Sequence, residues 1–215
     1  MNLENSTIAF IGPGVMAEAI ISGLIREQVA VPENMIASGP RRARTEQLQD
    51  LYGITPYSDN AGAVKSADVV VLAVKPQQID TVLEGLSGVV KPAALVLSIV
   101  AGATIRKISL GLKHAKVVRS MPNTPAQIGE GITVWTASKE TTEAQRIVAS
   151  QILEALGEAV YVEQENYLDM ATALSGTGPA YVFLFMEAMI DAGVHLGFPR
   201  RIAKQLVTQT VRGSV

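Results

Sequence analysis

Short β-branched runs alternate with amphipathic stretches over the first three quarters of this chain, and that rhythm leaves few folds open. Residues 7–11, 35–38, 69–74, 95–100 and 116–119 are strand-like, apolar and bounded by turn residues. Nearly continuous apolar runs, rather than strictly alternating ones, suit strands buried on both faces of a parallel sheet. Helical stretches lie between them at 16–27, 42–52, 77–83 and 104–110. Strand and helix in this order predict an α/β protein with a doubly wound sheet. A strand over 132–137, a helix over 142–156 and a strand over 159–162 complete it. Thr142 and Gln145 have capping-box spacing at the start of that helix, and Gly157 is placed at its end.

The character changes after Glu163. Residues 167–174 and 180–196 are helical by period, separated by Ser175-Gly176-Thr177-Gly178-Pro179. Gly197 stops the second helix, and Pro199 opens a third that runs through Val211. A domain boundary is therefore predicted at 163, with an all-helical region over 164–215. So small a segment cannot bury its own apolar positions, among them Val182, Leu184, Phe185, Met189 and Ile190. Either further chain or a second subunit is expected to cover them.

Composition narrows the function. Hydrophobic residues make up 48% and charged residues 18%, enough for a large core and against disorder. The net charge of −2, with no basic block, argues against nucleic acid or an anionic membrane as partner. The sequence contains no cysteine, which excludes disulfides, thiolate catalysis and zinc–thiolate sites. His114 and His195 have no partner at metal-ligand spacing, so no metal site is expected. Glu4 and then a strand open the chain, without the regions of a signal peptide. The apolar run 68–74 is too short to span a bilayer. A soluble, cytoplasmic protein is the expectation.

Gly12-Pro13-Gly14-Val15-Met16-Ala17 follows the first strand and opens the first helix, giving G-x-G-x-x-A. The first glycine permits the tight turn, and the second lets a pyrophosphate approach the backbone. The small Ala17 lets the helix pack closely on its strand. The helix N-terminus offers free N–H groups and a partial positive charge. A purely structural turn is the alternative, but the place of the motif in an alternating chain favours a Rossmann-type dinucleotide site over 1–163. NAD sites usually carry an acid about twenty residues further on. Here the second strand runs into Ser38-Gly39-Pro40-Arg41-Arg42, with no acid present. Ser38 can donate to a 2′-phosphate and Arg41 or Arg42 can neutralise it, so NADPH is the predicted cofactor and NADH the alternative. Ala73, Val74, Lys75 and Pro76 sit where a central strand ends, and Ile99, Val100 and Ala101 where the next one ends. These are the ligand-binding ends of such a sheet. Asn60 faces the adenosine side or caps a helix.

The run Val118-Arg119-Ser120-Met121-Pro122-Asn123-Thr124-Pro125-Ala126-Gln127-Ile128-Gly129-Glu130-Gly131 crowds prolines and glycines together and reads as a rigid loop. Asn123 and Thr124 offer polar groups beside the expected nicotinamide position. Arg119 either pairs with a carboxylate or is structural. Glu165 and Asp169 lie four apart, which by spacing alone reads as a solvated acidic face. No nucleophile–base constellation is present, which fits hydride chemistry carried by a cofactor.

The chain resembles the Δ1-pyrroline-5-carboxylate reductase family along essentially its whole length. Phe10 to Ala17, Ala73-Val74-Lys75-Pro76-Gln77, Val118 to Gly131, and Leu174 to Tyr181 carry the resemblance. The first is common to many dehydrogenases, whereas the last two together are specific. The resemblance implies cofactor contacts at Ile11, Gly12, Pro13, Gly14, Val15 and Met16, and at Ser38, Asn60, 73–76 and 99–101. It places Glu165, with Ser175, Gly176 and Thr177, near the substrate. It implies an active site at a dimer interface of interlocked C-terminal helices. The implied reaction passes a hydride from the nicotinamide to the C=N bond of 1-pyrroline-5-carboxylate, giving proline. Family members continue through a Ser/Gly/Thr-rich motif, so catalytic groups are expected beyond Val215 and the present sequence is expected to be a fragment. The alternatives are another NADP-linked imine or β-hydroxyacid-type reductase, or a nucleotide-binding module without chemistry. Such reductases generally carry a catalytic lysine or acid in the interdomain helix, where this sequence offers Ser175 and Thr177.

Overall fold

The computed structural model of the protein describes residues 3–214; the chain end at Val215, to which the expectation about missing catalytic groups refers, lies outside them. Eight strands form one sheet: β1 (Ile8–Ile11), β2 (Met35–Ser38), β3 (Thr55–Tyr57), β4 (Val69–Leu72), β5 (Leu95–Ser98), β6 (Val117–Met121), β7 (Gly131–Ala137) and β8 (Gly157–Tyr161). Their order is β3-β2-β1-β4-β5-β6-β7-β8. This is the doubly wound order, with its switch point between β1 and β4. All neighbours pair in parallel except β6 and β7, which run antiparallel.

The strand sequences explain why helices cover both faces. In β1, Ile8 and Phe10 point into one apolar layer with α1 (Val15–Arg26), α2 (Arg42–Tyr52) and α6 (Glu143–Glu154). Ala9 and Ile11 point into the other, with α3 (Asn60–Lys65), α4 (Ile79–Gly85) and α5 (Ile105–Leu112). Val69 and Val71 against Val70 and Leu72 repeat the division in β4. Each such fully buried side chain contributes about 1.5–3 kcal/mol of transfer free energy.

The strand–helix alternation predicted from sequence is present, with four differences. β3 and α3 fall in the stretch between 52 and 69 that carried no predicted element. With three residues including Pro56, and six residues, they are too short to show a period. The run 118–131 is not wholly loop, because β6 continues through Met121 and a 3-10 helix spans Thr124–Ile128. α6 ends at Glu154, and Gly157, at φ +127°, opens β8 instead of closing the helix. Asp59 rather than Asn60 caps α3, accepting from the Gly62 amide. The Thr142–Gln145 capping box forms as its spacing indicated.

Beyond β8, α7 (Tyr167–Ala171) packs on the sheet through buried Leu168 and passes through a π-turn (Thr172–Gly176) into α8 (Gly178–His195). α9 (Arg200–Arg212) returns against α8 around Ile190, Ala203 and Val207. Gly193 permits that approach, since a Cβ there would stand 2.9 Å from the Ala203 methyl. Little of α8 is otherwise covered: Phe183, Leu184 and Phe185 are 65%, 69% and 63% exposed. The run Tyr167–His195 is also long and apolar enough to cross a membrane by length and composition, a segment that the bilayer argument from 68–74 did not weigh.

Candidate dinucleotide and substrate site

The glycine-rich turn lies at the C-terminal ends of β1, β2 and β4. Gly12 takes φ +92°, and a Cβ on it would stand 2.7–2.9 Å from Val74 atoms, two of them backbone. No other residue fits there. Its amide donates to the Ser38 carbonyl at 2.9 Å, and Gly14 N–H returns to the Gly12 carbonyl at 2.8 Å. Gly14 has open space where its Cβ would be, which leaves the backbone accessible. As N-cap it brings no side-chain acceptor, so the first amides of α1, at Val15 and Met16, keep their donor capacity for an anion. The carbonyl of Ile11 and the amide of Ala73 are joined at 2.9 Å, fixing β1 to β4 beneath the turn.

Two clefts meet at this turn. One, of about 330 Å³, is lined by Gly12, Pro13, Gly14, Arg41, Arg44 and Lys75. The other, of about 360 Å³, is lined by Gly12, Pro40, Asp59, Asn60, Val74 and Gln78. The donor set and the open approach at Gly14 fit a dinucleotide, with pyrophosphate on the α1 amides and the adenosine end toward β2. Of the basic residues read from sequence, Arg41 and Lys75 line the first cleft. Arg42 does not line it; 90% exposed and paired with Glu46 at 2.8 Å, it lines a separate cleft with Gly39, Pro40 and Tyr57. Ser38 is buried, and its hydroxyl donates to Asn60 Oδ1 at 2.8 Å, so those two residues bind each other. Pro76 opens the turn into α4, and Ile99, Val100 and Ala101 follow β5, with Val100 buried.

On the helical side, Asn123 makes two bonds. Its amide donates to the Ser175 carbonyl at 3.2 Å, and its Oδ1 accepts from Ile132 N–H at 3.0 Å. A third cleft, of about 380 Å³, is lined by Asn123, Ile132, Ser175, Pro179, Val182 and Phe183. Gly176 packs beside it against the Met121 side chain, whose Cε would stand 2.9 Å from an added Cβ and would have to shift. Ser175 and Thr177 hydroxyls donate to the Ala171 and Thr172 carbonyls at 3.1 and 2.8 Å, bonds that shape the π-turn. Thr124 is exposed at the start of its 3-10 helix. Glu165 lies elsewhere: its Oε1 accepts from Arg119 Nη1 at 3.0 Å and from the Ile105 amide at 2.8 Å. Asp169 accepts from the same guanidinium at 2.8 Å. Glu165 is therefore not part of a solvated acidic face, whereas Asp169 remains 69% exposed, and Arg119 is the carboxylate-paired arginine of the two readings. Sequence reasoning passed over Arg44, Glu18 and Tyr52, which cluster beside the glycine turn with Arg44 on the wall of the first cleft. Their pairing joins two helices, and no spacing within either helix reveals it.

Comparison with known proteins agrees with this arrangement. Residues 165–215 match the family model for pyrroline-5-carboxylate reductase dimerisation, and residues 7–102 match that for NADP oxidoreductase, coenzyme F420-dependent. A pyrroline-5-carboxylate reductase from Synechocystis sp. is 44% identical over 207 residues, covering 96% of this chain and 77% of that one. The solved pyrroline-5-carboxylate reductase from Coxiella burnetii superposes with a TM-score of 0.90 at 37% identity, covering 97% of this chain and 77% of its own. The pyrroline carboxylate reductase of Plasmodium falciparum, solved with NADP bound, gives 0.87 at 33% identity, covering 99% and 78%. Fold, turn and helical region converge on the same relatives: this chain belongs to the pyrroline-5-carboxylate reductase family.

Proposed function

We propose that this protein reduces the C=N bond of 1-pyrroline-5-carboxylate to give proline, with NADPH as cofactor. The observation that carries the proposal is the open glycine turn at Gly12–Gly14 beside Arg41 and Lys75, on a chain whose helical part matches the reductase dimerisation family. The bound dinucleotide supplies a hydride from its nicotinamide ring. The chain's own residues bind and align: the α1 amides at Val15 and Met16 hold the pyrophosphate, and Arg41 neutralises a 2′-phosphate. Val74 and the segment 99–101 wall the nicotinamide end. The cleft between Asn123, Ser175 and Phe183 receives the ring, and its apolar wall, exposed on this chain, excludes water once a second subunit covers it, around an imine that accepts hydride best when protonated.

We assign 1–163 to the dinucleotide unit and 164–215 to a dimerisation unit, in a cytoplasmic homodimer. Phe183, Leu184 and Phe185 support a protein partner for α8, and the match of 165–215 to a dimerisation family favours a second subunit over a bilayer for the run Tyr167–His195. The direct test follows dinucleotide absorbance with 1-pyrroline-5-carboxylate, NADPH and NADH in parallel. Consumption favouring NADPH, with proline formed in equal amount, is expected. Binding of NADPH without any turnover, alone and in a chain extended to the length of its relatives, would leave only a nucleotide-binding module.

A further inference from the structure

Arg44 stands on the wall of the first cleft and makes three hydrogen bonds beside the glycine turn. Its Nε donates to the Pro13 carbonyl at 3.0 Å, its Nη1 to Gln47 Oε1 at 2.7 Å, and its Nη2 is paired with Glu18 Oε2. The second oxygen of Glu18 accepts from the Tyr52 hydroxyl at 3.0 Å. Burial first, and the bond to Glu18 second, hold the Tyr52 hydroxyl above its ordinary pKa of 10.0, so it stays a donor. Glu18 stands in the first turn of α1, whereas Arg44, Gln47 and Tyr52 stand on α2. The group therefore bolts the helix after β1 to the helix after β2. The Arg44 and Glu18 side chains are only 18% and 26% exposed, so solvent screens the pair less than it would a surface pair.

What this group fixes is one peptide. The Pro13–Gly14 unit is held at its carbonyl by Arg44 and at its N–H by the Gly12 carbonyl. Pro13 is buried and packs against Gly39, where any Cβ would collide with the proline ring. The next amides along the chain are those of Val15 and Met16. A peptide plane pinned on both sides sets their direction before any ligand arrives.

We propose that Arg44 is a positioning residue for the dinucleotide: with Glu18 and Tyr52 it pre-sets the pyrophosphate-binding amides and so acts on the portion common to NADPH and NADH. Arg41 lines the same cleft, and its side chain has no hydrogen-bond partner among the described residues, which leaves it for the 2′-phosphate that only NADPH carries. This division of labour rests on the dinucleotide reading of the turn.

Calorimetric dissociation constants for NADPH and for NADH test it, measured on the wild-type chain and on R44M, R44K, E18Q and R41M. R44M is expected to weaken both dinucleotides by the same factor, roughly tenfold, leaving their ratio unchanged. R44K recovers little of that loss, since an ammonium cannot reproduce the three-point fork. R41M weakens NADPH alone. Loss of NADPH affinity only in R44M, or equal loss of both dinucleotides in R44M with none in E18Q, would make Arg44 a direct phosphate ligand and overturn the proposal, as would no loss at all. Should R44M fail to fold by its thermal transition, E18Q removes the charge that holds Arg44 without changing shape, and the same equal loss is required of it. A wild-type chain that binds neither dinucleotide overturns the underlying reading itself, and the proposal with it.

Discussion

Glu165 Oε1 sits 3.0 Å from Arg119 Nη1 on β6 and 2.8 Å from the amide of Ile105, the first residue of α5. One carboxylate oxygen thus joins three elements: the middle of a strand, a helix start and the residues leading into α7. Arg119 is 4% exposed, so its charge depends on these partners for its stability.

Removing the acid should therefore cost more than its surface position suggests. E165L leaves a buried guanidinium with Asp169 alone, and Asp169 is itself 69% exposed. We expect a loss of about 2–4 kcal/mol for E165L and under about 1 kcal/mol for D169N. E165Q keeps an acceptor for both donors and falls between them. Urea midpoints of the three variants give the ranking, and equal losses for E165L and D169N would refute it.

The two glycines of the turn separate stability from binding. Gly12→Ala meets the Val74 backbone at a φ of +92° and is expected to destabilise by about 2–4 kcal/mol. Gly14→Ala meets nothing within 4 Å and has φ −82°, so the fold should hold. Its methyl stands where pyrophosphate must approach, and NADPH affinity should fall by roughly tenfold or more. Thermal transitions alongside NADPH titrations would show whether the two effects part in this way.

His114 gives the protein a pH dependence. Burial pushes its imidazole below the ordinary 6.5, outweighing the bond to the Ala94 carbonyl, which acts in the other direction. The unfolded chain then takes up a proton that the folded chain refuses. Stability from this group is complete above about pH 6.5 and is lost as pH falls below it toward the lowered folded value. Urea unfolding at neutral pH and at a pH near 5 should show that loss, and H114N should flatten it.

The exposed face of α8 should govern assembly. L184E and F185E place a charge on side chains 69% and 63% exposed, so neither disturbs the core of one subunit. Sedimentation should show a shift toward monomer, with NADPH affinity within about twofold of wild type. Unchanged sedimentation would mean that this face is covered by something other than a second copy.

Much of the fold was legible because both faces of the sheet are buried, which writes each strand as an unbroken apolar run. β3, with Pro56 at its centre, has no such run and was invisible. The turn was legible because Gly12 answers a steric demand that only glycine meets and Gly14 leaves the backbone open beside it. Arg41 was readable as a basic residue after β2, but nothing in the sequence told it from Arg42, which turns to Glu46 along its own helix. The ties of Arg119 to Glu165 and of Asn123 to Ser175 span 46 and 52 residues. Tertiary pairings at that separation have no period to betray them.

All eight strands lie within the first 161 residues, and the α8–α9 hairpin comes after them. A growing chain consequently has its last strand, β8, before that hairpin is made. The residues that form the glycine turn and its clefts can fold at any dilution, because every partner they use is on the same chain. Covering Phe183, Leu184 and Phe185 needs material from outside the described residues, and where a second copy supplies it the step is second order in protein. Synthesis thus divides into an early event indifferent to concentration and a late one governed by it.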